Sequence, residues 1–221
     1  MKRWLKLVFV IIIICTIFFS YSNDYNFLYC RETNNKVGII DGELTAVPMN
    51  IKKSNIKGEI MGEDKTHGDY MLDFINSFTQ NGLSIYYYNA CDINGNISTE
   101  SLIKALDWMV DNDVENVNIS LSSKTYSKEL DDWINEHEES IRIFASYNNL
   151  LNSRDYPAMY DAVIASGCDD SIGYKENDYL YKSNIIITFP SCKKYQGNSY
   201  LSLITMTKFL KEDSVKDKSE Y

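Results

Sequence analysis

Short apolar runs rich in β-branched residues alternate with amphipathic segments along most of this 221-residue chain, and this alternation restricts the fold more than any other feature. The runs are too short for helices and nearly uniformly apolar, which is typical of strands that are buried on both faces of a parallel sheet. Strands that alternate with helices indicate βαβ units. We therefore predict an α/β fold in three layers, with a mostly parallel sheet flanked by helices. The predicted strands are residues 37–41, 84–88, 114–120, 141–146, 162–166 and 184–188.

The segments between these runs carry apolar residues at helical spacing. Residues 67–79 and 199–210 are predicted as helices because their apolar side chains fall close to one helical face. Ser98 or Thr99 can cap another helix, and Ser127 can cap a further one, since serine and threonine are preferred before the first helical residue.

The N-terminus combines basic residues with an apolar run. Three basic residues within the first six precede a nearly unbroken apolar stretch over residues 7–19, which is the order found in an export signal. The stretch is shorter than the roughly 20 residues that span a bilayer comfortably. Residues 1–22 are therefore predicted as a signal peptide or an N-terminal membrane anchor. The anchor is slightly preferred because Ser20 and Ser22 match a cleavage site poorly, and either way the rest of the chain is expected outside the cell.

The remainder of the chain is long enough for one α/β domain with a sizeable core and short for two. Residues 23–36 are polar and rich in Asn and Tyr, which predicts a linker. The domain is expected over residues 37–210. A charged tail over residues 211–221 is expected to be disordered.

The net charge is −9, and it becomes −12 without the basic residues of the leader. Such an acidic chain is not expected to bind nucleic acid. Four cysteines beyond the leader would allow two disulfides in three pairings, or would remain as free thiols. None of them has the spacing of a metal site, so no metal or cofactor is predicted. They are Cys30, Cys91, Cys168 and Cys192.

Three segments each carry one member of a set of acid, base and nucleophile. Asp41 ends an apolar strand, at the edge of a parallel sheet where functional groups collect. His67 precedes a glycine at the start of an amphipathic helix, whereas the other histidine, His137, lies in a charged helical segment typical of solvated surface. Ser199 opens the last helix, where backbone N–H groups favour negative charge. Taken singly, Asp41 could be part of a turn and Ser199 a helix cap, but together they supply what a serine nucleophile requires.

The order Asp41, His67, Ser199 and the surrounding segments resemble the subtilisin-like serine proteases, the subtilases of peptidase family S8. The strand ending in Asp-Gly, the His-Gly segment and the Gly-Asn-Ser segment carry the resemblance. So does the Tyr-Pro-Ala segment that leads into a Val-Ile-Ala strand over residues 156–167. The resemblance covers roughly residues 37–210 and implies a subtilisin-like form of the three-layer fold.

The resemblance also implies further site residues. Asn148 matches the asparagine whose side chain donates a hydrogen bond to the oxyanion in this family. Ser120, Leu121 and Ser122 match the strand that pairs with an extended substrate and lines the first specificity pocket. The implied partner is a peptide or protein substrate. No cofactor is implied, and structural calcium is left open.

Several positions depart from the family pattern. They are Gly42 directly after Asp41, Asp69 in place of a threonine, Ser122 and Tyr147 in place of glycines, and Leu203 in place of a proline. The leading prediction is an exported or membrane-anchored serine endopeptidase that works through an acyl-enzyme. The alternative is a catalytically inactive subtilisin-like domain that binds a peptide or protein outside the cell. A serine hydrolase of another α/β type is disfavoured because the sequence contains no Gly-x-Ser-x-Gly.

Overall fold

Eight strands in the described part of the chain form one sheet. The structure is a computed structural model that describes residues 36–57, 64–78, 83–148, 155–167, 180–182, 185–187 and 197–219. The strands are β1 Lys36–Asp41, β2 Ile51–Ser54, β3 Ser84–Asn89, β4 Asn116–Ile119, β5 Arg142–Ser146, β6 Ile164–Gly167, β7 Leu180–Lys182 and β8 Ile185–Ile187. The helices are α1 His67–Phe78, α2 Thr99–Val110, α3 Lys128–Glu136 and α4 Asn198–Ser219.

The strand order is β2-β3-β1-β4-β5-β6-β8-β7, which places β1 inside the sheet between β3 and β4. The neighbouring pairs run parallel, except for β7 and β8, which pair antiparallel. The sheet therefore grows outward from β1 in two directions, through β3 and β2 on one side and through β4, β5 and β6 on the other. The carboxyl end of the strand where this order reverses is where open parallel sheets bind ligands.

Helices cover both faces of the sheet. Helices α1 and α4 pack on one face, and α2 and α3 pack on the other. Because successive side chains of a strand point to opposite faces, Val37 and Ile39 of β1 pack with α1 and α4, whereas Ile40 packs with α2 and α3. Each of these side chains is fully buried, and burying one stabilises the fold by about 1.5–3 kcal/mol. The prediction of an α/β fold with a mostly parallel sheet is confirmed.

Two helices begin at serines that the sequence indicates as caps. The Ser98 hydroxyl accepts from the N–H of Ser101 at 3.1 Å, and the Ser101 hydroxyl accepts from the N–H of Ser98 at 3.0 Å. This reciprocal pair is a capping box at the start of α2. The Ser127 hydroxyl accepts from the N–H of Leu130 at 3.3 Å and caps α3. Of the two candidates for α2, Ser98 rather than Thr99 is the cap.

Some elements differ from those the sequence predicts. Strands β2 and β7 are not predicted; β2 does not read as a buried strand because Lys52 and Lys53 are exposed at the edge of the sheet. Helix α4 continues to Ser219, so most of the predicted disordered tail after residue 210 is helical. The apolar pattern ends near residue 210, but the following residues include neither glycine nor proline, and lysine and glutamate are good helix formers.

Part of the predicted organisation lies outside the described residues. The leader over residues 1–22 and all of the linker but its last residue belong to this part, because β1 begins at Lys36. Among the residues that the structure describes, no helix has both the length and the apolar character to cross a membrane. Cys91 has no disulfide partner within the described part of the chain. The other three cysteines lie outside the described residues, so the pairing of the four stays a prediction.

Candidate active site

One strand end and two helix starts meet around β1. Asp41 is the last residue of β1, His67 is the first residue of α1, and Ser199 lies in the first turn of α4. His67 Nδ1 lies 2.9 Å from both Oδ1 and Oδ2 of Asp41. His67 Nε2 lies 3.2 Å from Ser199 Oγ. The three residues singled out in the sequence therefore form one chain of contacts, from carboxylate to imidazole to hydroxyl.

Burial differs greatly between the carboxylate and the imidazole. The Asp41 side chain is 1% exposed, whereas the His67 side chain is 48% exposed. The N–H of Gly42 donates to Asp41 Oδ1 at 2.7 Å and helps to orient the carboxylate. The hydrogen bond to Asp41 raises the pKa of His67 and the negative charge of Asp41 adds to this rise, while partial burial opposes it. Because Nδ1–H faces the carboxylate, the neutral ring keeps its lone pair on Nε2, toward Ser199.

Ser199 is fixed by its position at the start of a helix. Gly197 has a φ of 114°, which glycine adopts without strain, and α4 begins at the next residue. The Ser199 carbonyl accepts from the Ser202 hydroxyl at 3.0 Å and from the Ser120 hydroxyl at 3.4 Å. The N–H groups of the first helical turn have no partner within the helix. The N–H of Tyr200 donates to the carbonyl of Gly197 at 3.3 Å, and the start of a helix favours an anion that forms beside the Ser199 hydroxyl.

The main chain of Asn148 contacts the residue that precedes Ser199. The Asn198 side-chain amide donates to the carbonyl of Asn148 at 2.9 Å, so the loop after β5 is tied to the residue that precedes Ser199. Asn148 is half-buried. The sequence gives no sign of this hydrogen bond, because Asn198 is only the middle residue of the Gly-Asn-Ser segment. The role of the Asn148 side-chain amide as a donor to an oxyanion stays a prediction.

The predicted substrate strand continues from the end of β4. Ser120 is buried, Leu121 is half-buried and Ser122 is exposed. Just beyond them, Ser123 and Tyr156 form an antiparallel bridge with two N–H···O hydrogen bonds of 2.8 Å. A cavity of about 140 Å³ opens beside this segment, which is room for a side chain. Its lining includes Leu102, Leu121, Ser122, Leu130, Tyr156 and Tyr160.

Asp69 organises the turn that precedes His67. Its carboxylate accepts from the N–H and hydroxyl of Thr66 at 2.8 and 2.9 Å, and from the N–H and hydroxyl of Thr45 at 3.1 and 2.8 Å. The N–H of Asp69 donates in return to the Thr66 hydroxyl at 3.3 Å, which completes a capping box at the start of α1. The Thr-x-x-Asp spacing before an apolar run is the sequence signal that indicates this role.

Tyr87 of β3 supports the residues that follow both Asp41 and His67. Its hydroxyl donates to the carbonyl of Gly42 at 2.7 Å. A β-carbon at Gly68 would overlap the same hydroxyl, which gives the His-Gly pair a steric reason in this chain. Tyr87 is fully buried, and burial raises its pKa far above the usual range. It is therefore a neutral donor at any physiological pH.

Two of the substituted positions pack into the core. A β-carbon added to Gly167 would lie 3.0 Å from Tyr147 Cδ2. The Tyr147 hydroxyl lies 4.0 Å from the sulfur of Met159. Tyr147 packs against the core on the α2 and α3 face. Leu203 is fully buried in the core between the sheet and the two helices α1 and α4. The larger side chains at these two positions pack against the core, and the contact between His67 and Ser199 is intact.

The second histidine is part of the helix end rather than of the site. His137 Nδ1 lies 2.8 Å from the carbonyl of Trp133, and the two rings stack at a centroid distance of 4.0 Å. In the part of the chain that the structure describes, no group of three or more His, Cys, Asp or Glu side chains could hold a metal ion.

Known proteins resemble this chain over much of its length. A model of the subtilase family (Peptidase_S8) matches residues 58–209. The chain is 32% identical over 114 residues to the minor extracellular protease Epr of Bacillus subtilis (strain 168), a match that covers 47% of this chain and 18% of Epr. It is 24% identical over 195 residues to subtilisin DY of Bacillus licheniformis, which covers 78% of this chain and 71% of that protein. The chain thus spans less than a fifth of the length of Epr.

The fold has a counterpart among solved structures. The prenylagaramide maturation protease PagA superposes with a TM-score of 0.53 at 16% identity, over 79% of this chain and 73% of that one. At this level of identity the likeness concerns the fold alone.

Proposed function

Because the chain belongs to the subtilase family of serine peptidases, we propose that it is a serine endopeptidase with Asp41, His67 and Ser199 as its catalytic triad. The observation that carries the proposal is the unbroken contact from the buried Asp41 carboxylate through the imidazole to the Ser199 hydroxyl, at 2.9 and 3.2 Å. These are distances at which a proton can pass from serine to histidine.

The first step is proton transfer coupled to attack. His67 Nε2 takes the proton of the Ser199 hydroxyl as the oxygen attacks the carbonyl carbon of the scissile peptide bond. Asp41 keeps Nδ1–H in place and stabilises the imidazolium that forms. The imidazolium then gives its proton to the leaving amine, so the peptide bond breaks and an acyl-enzyme remains. Water, activated by the same histidine, hydrolyses the acyl-enzyme.

The negative charge of the tetrahedral intermediate falls beside the first turn of α4. We assign the N–H of Ser199 and the side-chain amide of Asn148 as its donors. The position of Asn148 one hydrogen bond away from Asn198 supports this assignment, and the start of a helix favours negative charge beside it. Losing one such donor lowers kcat by roughly 10²–10³-fold.

The substrate is an extended peptide bound alongside Ser120, Leu121 and Ser122. The exposed Ser122 and the adjacent cavity of about 140 Å³ support this position, because they lie at the carboxyl end of β4, next in the sheet to β1. The basic and apolar leader supports export, and the relative Epr is an extracellular protease. The enzyme therefore acts outside the cell, either secreted or held by its N-terminal apolar segment.

Labelling with a fluorophosphonate probe tests the triad, because such probes phosphonylate only an activated serine. The wild-type chain is expected to be labelled, Ser199→Ala to be unlabelled, and Ser140→Ala, an exposed serine elsewhere, to be labelled normally. The chain has two histidines, so His67→Ala and His137→Ala form a matched pair of which only the first should abolish labelling. Labelling that survives Ser199→Ala would refute the mechanism. A folded wild-type chain that is neither labelled nor active on a peptide library would favour the alternative, a catalytically inactive peptide-binding domain.

A further inference from the structure

We propose that Asn118 and Ser120 are positioning residues for the nucleophile: a buried, hydrogen-bonded pair through which β4 holds the first turn of α4 in place. The pair acts on Ser199 through its main chain and does not touch the reacting atoms. This inference rests on the proposed function, since it assigns the two side chains to the placement of the Ser199 hydroxyl.

Asn118 lies in the middle of the sheet, directly beneath the triad. It is in register with Ile39 of β1, two residues before Asp41, and with Phe144 of β5. Those two residues belong to the core under α1 and α4, so Asn118 faces the same side. Its side chain is 0% exposed. A primary amide is therefore buried at the level where the two helices of the site meet the sheet.

The amide of Asn118 determines the direction of the Ser120 hydroxyl. Asn118 Nδ2 donates to Ser120 Oγ at 2.7 Å. A serine hydroxyl has one proton to donate, and with its oxygen already accepting from Asn118, that proton points away from the amide. Two acceptors lie within reach of that proton, which donates to one of them at a time: the carbonyl of Ser199 at 3.4 Å and the sulfur of Met71 at 3.7 Å. Met71 lies one turn after His67, so this hydroxyl contacts both helices that carry the base and the nucleophile.

Asn118 is an unfavourable choice for stability alone. Its Oδ1 atom is buried and has no hydrogen-bond partner among the described residues, and leaving a buried acceptor unpaired costs free energy. Leucine has a similar volume and would remove this cost. Where a chain keeps such a locally unfavourable residue, the reason is expected at a functional site. Here the retained part is the Nδ2 donor, and its only described use is to orient Ser120.

The same strand supplies a matched control. Asn116 lies on the same face of β4, two residues earlier, and is also buried. Its Oδ1 is 3.4 Å from Arg142 Nη1 at the far end of the strand. Asn116→Leu therefore makes the same chemical change in the same strand, away from Ser199.

The test compares fluorophosphonate labelling rates and thermal unfolding midpoints of the full chain with Asn118→Leu, Asn116→Leu and Ser120→Ala. We expect Asn118→Leu to be labelled about tenfold more slowly or worse, because a misplacement near 1 Å can cost roughly 10²-fold, while its Tm is unchanged or higher. Ser120→Ala should also slow labelling, and Asn116→Leu should not. In these variants the labelling rate should fall at the same acidic pH as in the wild type, because neither Asn118 nor Ser120 contacts His67.

A folded Asn118→Leu that is labelled at the wild-type rate overturns the proposal, and so does an equal loss in Asn116→Leu. If Asn118→Leu does not fold, wild-type labelling of Ser120→Ala overturns it instead. Amide hydrogen exchange in residues 199–203 decides the matter without any activity: faster exchange in Asn118→Leu than in Asn116→Leu supports the pair, and equal exchange refutes it. A wild-type chain that is not labelled refutes the proposed function, while the exchange result still decides on the pair.

Discussion

His67 can act as a base only when it is neutral, and Asp41 determines the pH at which the neutral form appears. The hydrogen bond and the charge of Asp41 raise the pKa of the imidazole. Labelling is therefore expected to fall as the pH falls through this raised pKa. Stability has the opposite dependence: the ion pair of His67 and Asp41 stabilises the fold below the pKa of an unfolded histidine, and the contribution is lost as the pH rises through the raised pKa.

Asp41→Asn separates the two effects of the carboxylate. The acid limb of the labelling rate should move to lower pH, because the imidazole pKa returns toward its ordinary value. The plateau rate should fall by roughly 10³–10⁴-fold, because an amide no longer selects the Nδ1–H tautomer. Rates measured across the pH range for the wild type and the variant check both points. A limb that stays at the same pH in Asp41→Asn would show that the two groups do not interact as the distances imply.

Gly68 is expected to tolerate no side chain while Tyr87 keeps its hydroxyl. Gly68→Ala should reduce labelling and stability together, because the new methyl group meets the Tyr87 hydroxyl at the residue after His67. Tyr87→Phe alone loses the hydrogen bond to Gly42, worth about 1 kcal/mol. In the double variant the overlap is relieved, and part of the loss should be recovered. The recovery is partial because Leu44 Cδ2 also lies 2.9 Å from the added carbon.

Labelling rates and unfolding free energies of the two single variants and the double variant form a thermodynamic cycle. Losses that simply add in the double variant would contradict the steric explanation.

Single residues also mark the limit of prediction from sequence. Asp41, His67 and Ser199 could be predicted because each stands in a short segment whose residue types match a chemical role. Asn118 and Tyr87 could not, since each lies within an otherwise ordinary strand and its partner belongs to a distant segment. Buried polar contacts between strands and helix ends leave no periodic trace in the sequence. The structure is needed to recognise them.

At the scale of elements, Asp69 joins the loop after β1 to the start of α1. Burial raises the pKa of its carboxyl, but hydrogen bonds from Thr66 and Thr45 outweigh burial, and the pKa is lowered. A lowered pKa contributes stability above the pKa of an unfolded aspartate, and this contribution is lost as the pH falls through the folded pKa. The joint between the two elements is thus expected to weaken in acid.

Asp69→Asn tests this joint. The amide cannot accept from all four donors, so we expect a loss of about 1–3 kcal/mol at neutral pH. The unfolding free energies of the wild type and the variant should converge at low pH, where the wild-type carboxyl is protonated as well. Asp73→Asn, on the exposed side of the same helix, is the control. A difference that remains constant with pH would mean that the charge of Asp69 does not matter.

Elements were predictable in proportion to their burial. Strands β1, β3 and β5 are covered on both faces and are rich in apolar residues, so the sequence indicates them directly. Strand β4 is buried as well, but two asparagines alternate with its apolar residues. The edge strand β2 is held in the sheet by backbone pairing with β3. Because it contains two lysines, the hydrophobic pattern of the sequence does not indicate it. Helix α4 shows a related limit: its apolar stripe ends well before the last helical residue, Ser219. Hydrophobic periodicity reports which face is covered rather than where hydrogen bonding stops.

At the scale of the whole molecule, the site depends on topology. His67 follows Asp41 by 26 residues and precedes Ser199 by 132 residues, so no local rule brings them together. The reversal of strand order at β1 brings the three residues together. It leaves the carboxyl end of a central strand open between helices that come from both halves of the chain. The family resemblance predicted the roles of the three residues. Their distances could come only from the complete arrangement of strands.

The residues of the proposed triad are not held equally firmly in the fold. Asp41 ends a strand that is hydrogen-bonded on both sides within the sheet, whereas Ser199 belongs to the last helix, which packs onto the sheet from outside. Local unfolding of a protein begins in elements that make fewer contacts with the rest of the fold. It requires less free energy than global unfolding. Detachment of α4 would remove Ser199, the proposed nucleophile, and leave the sheet assembled.

In increasing urea, labelling of Ser199 is therefore expected to disappear before the circular dichroism signal of the sheet is lost. Two coincident curves would show instead that α4 and the sheet unfold as one unit. If the curves separate, the working lifetime of this molecule is governed by how firmly one helix stays docked and not by its melting temperature. Substitutions that tighten that docking would prolong activity without changing the chemistry.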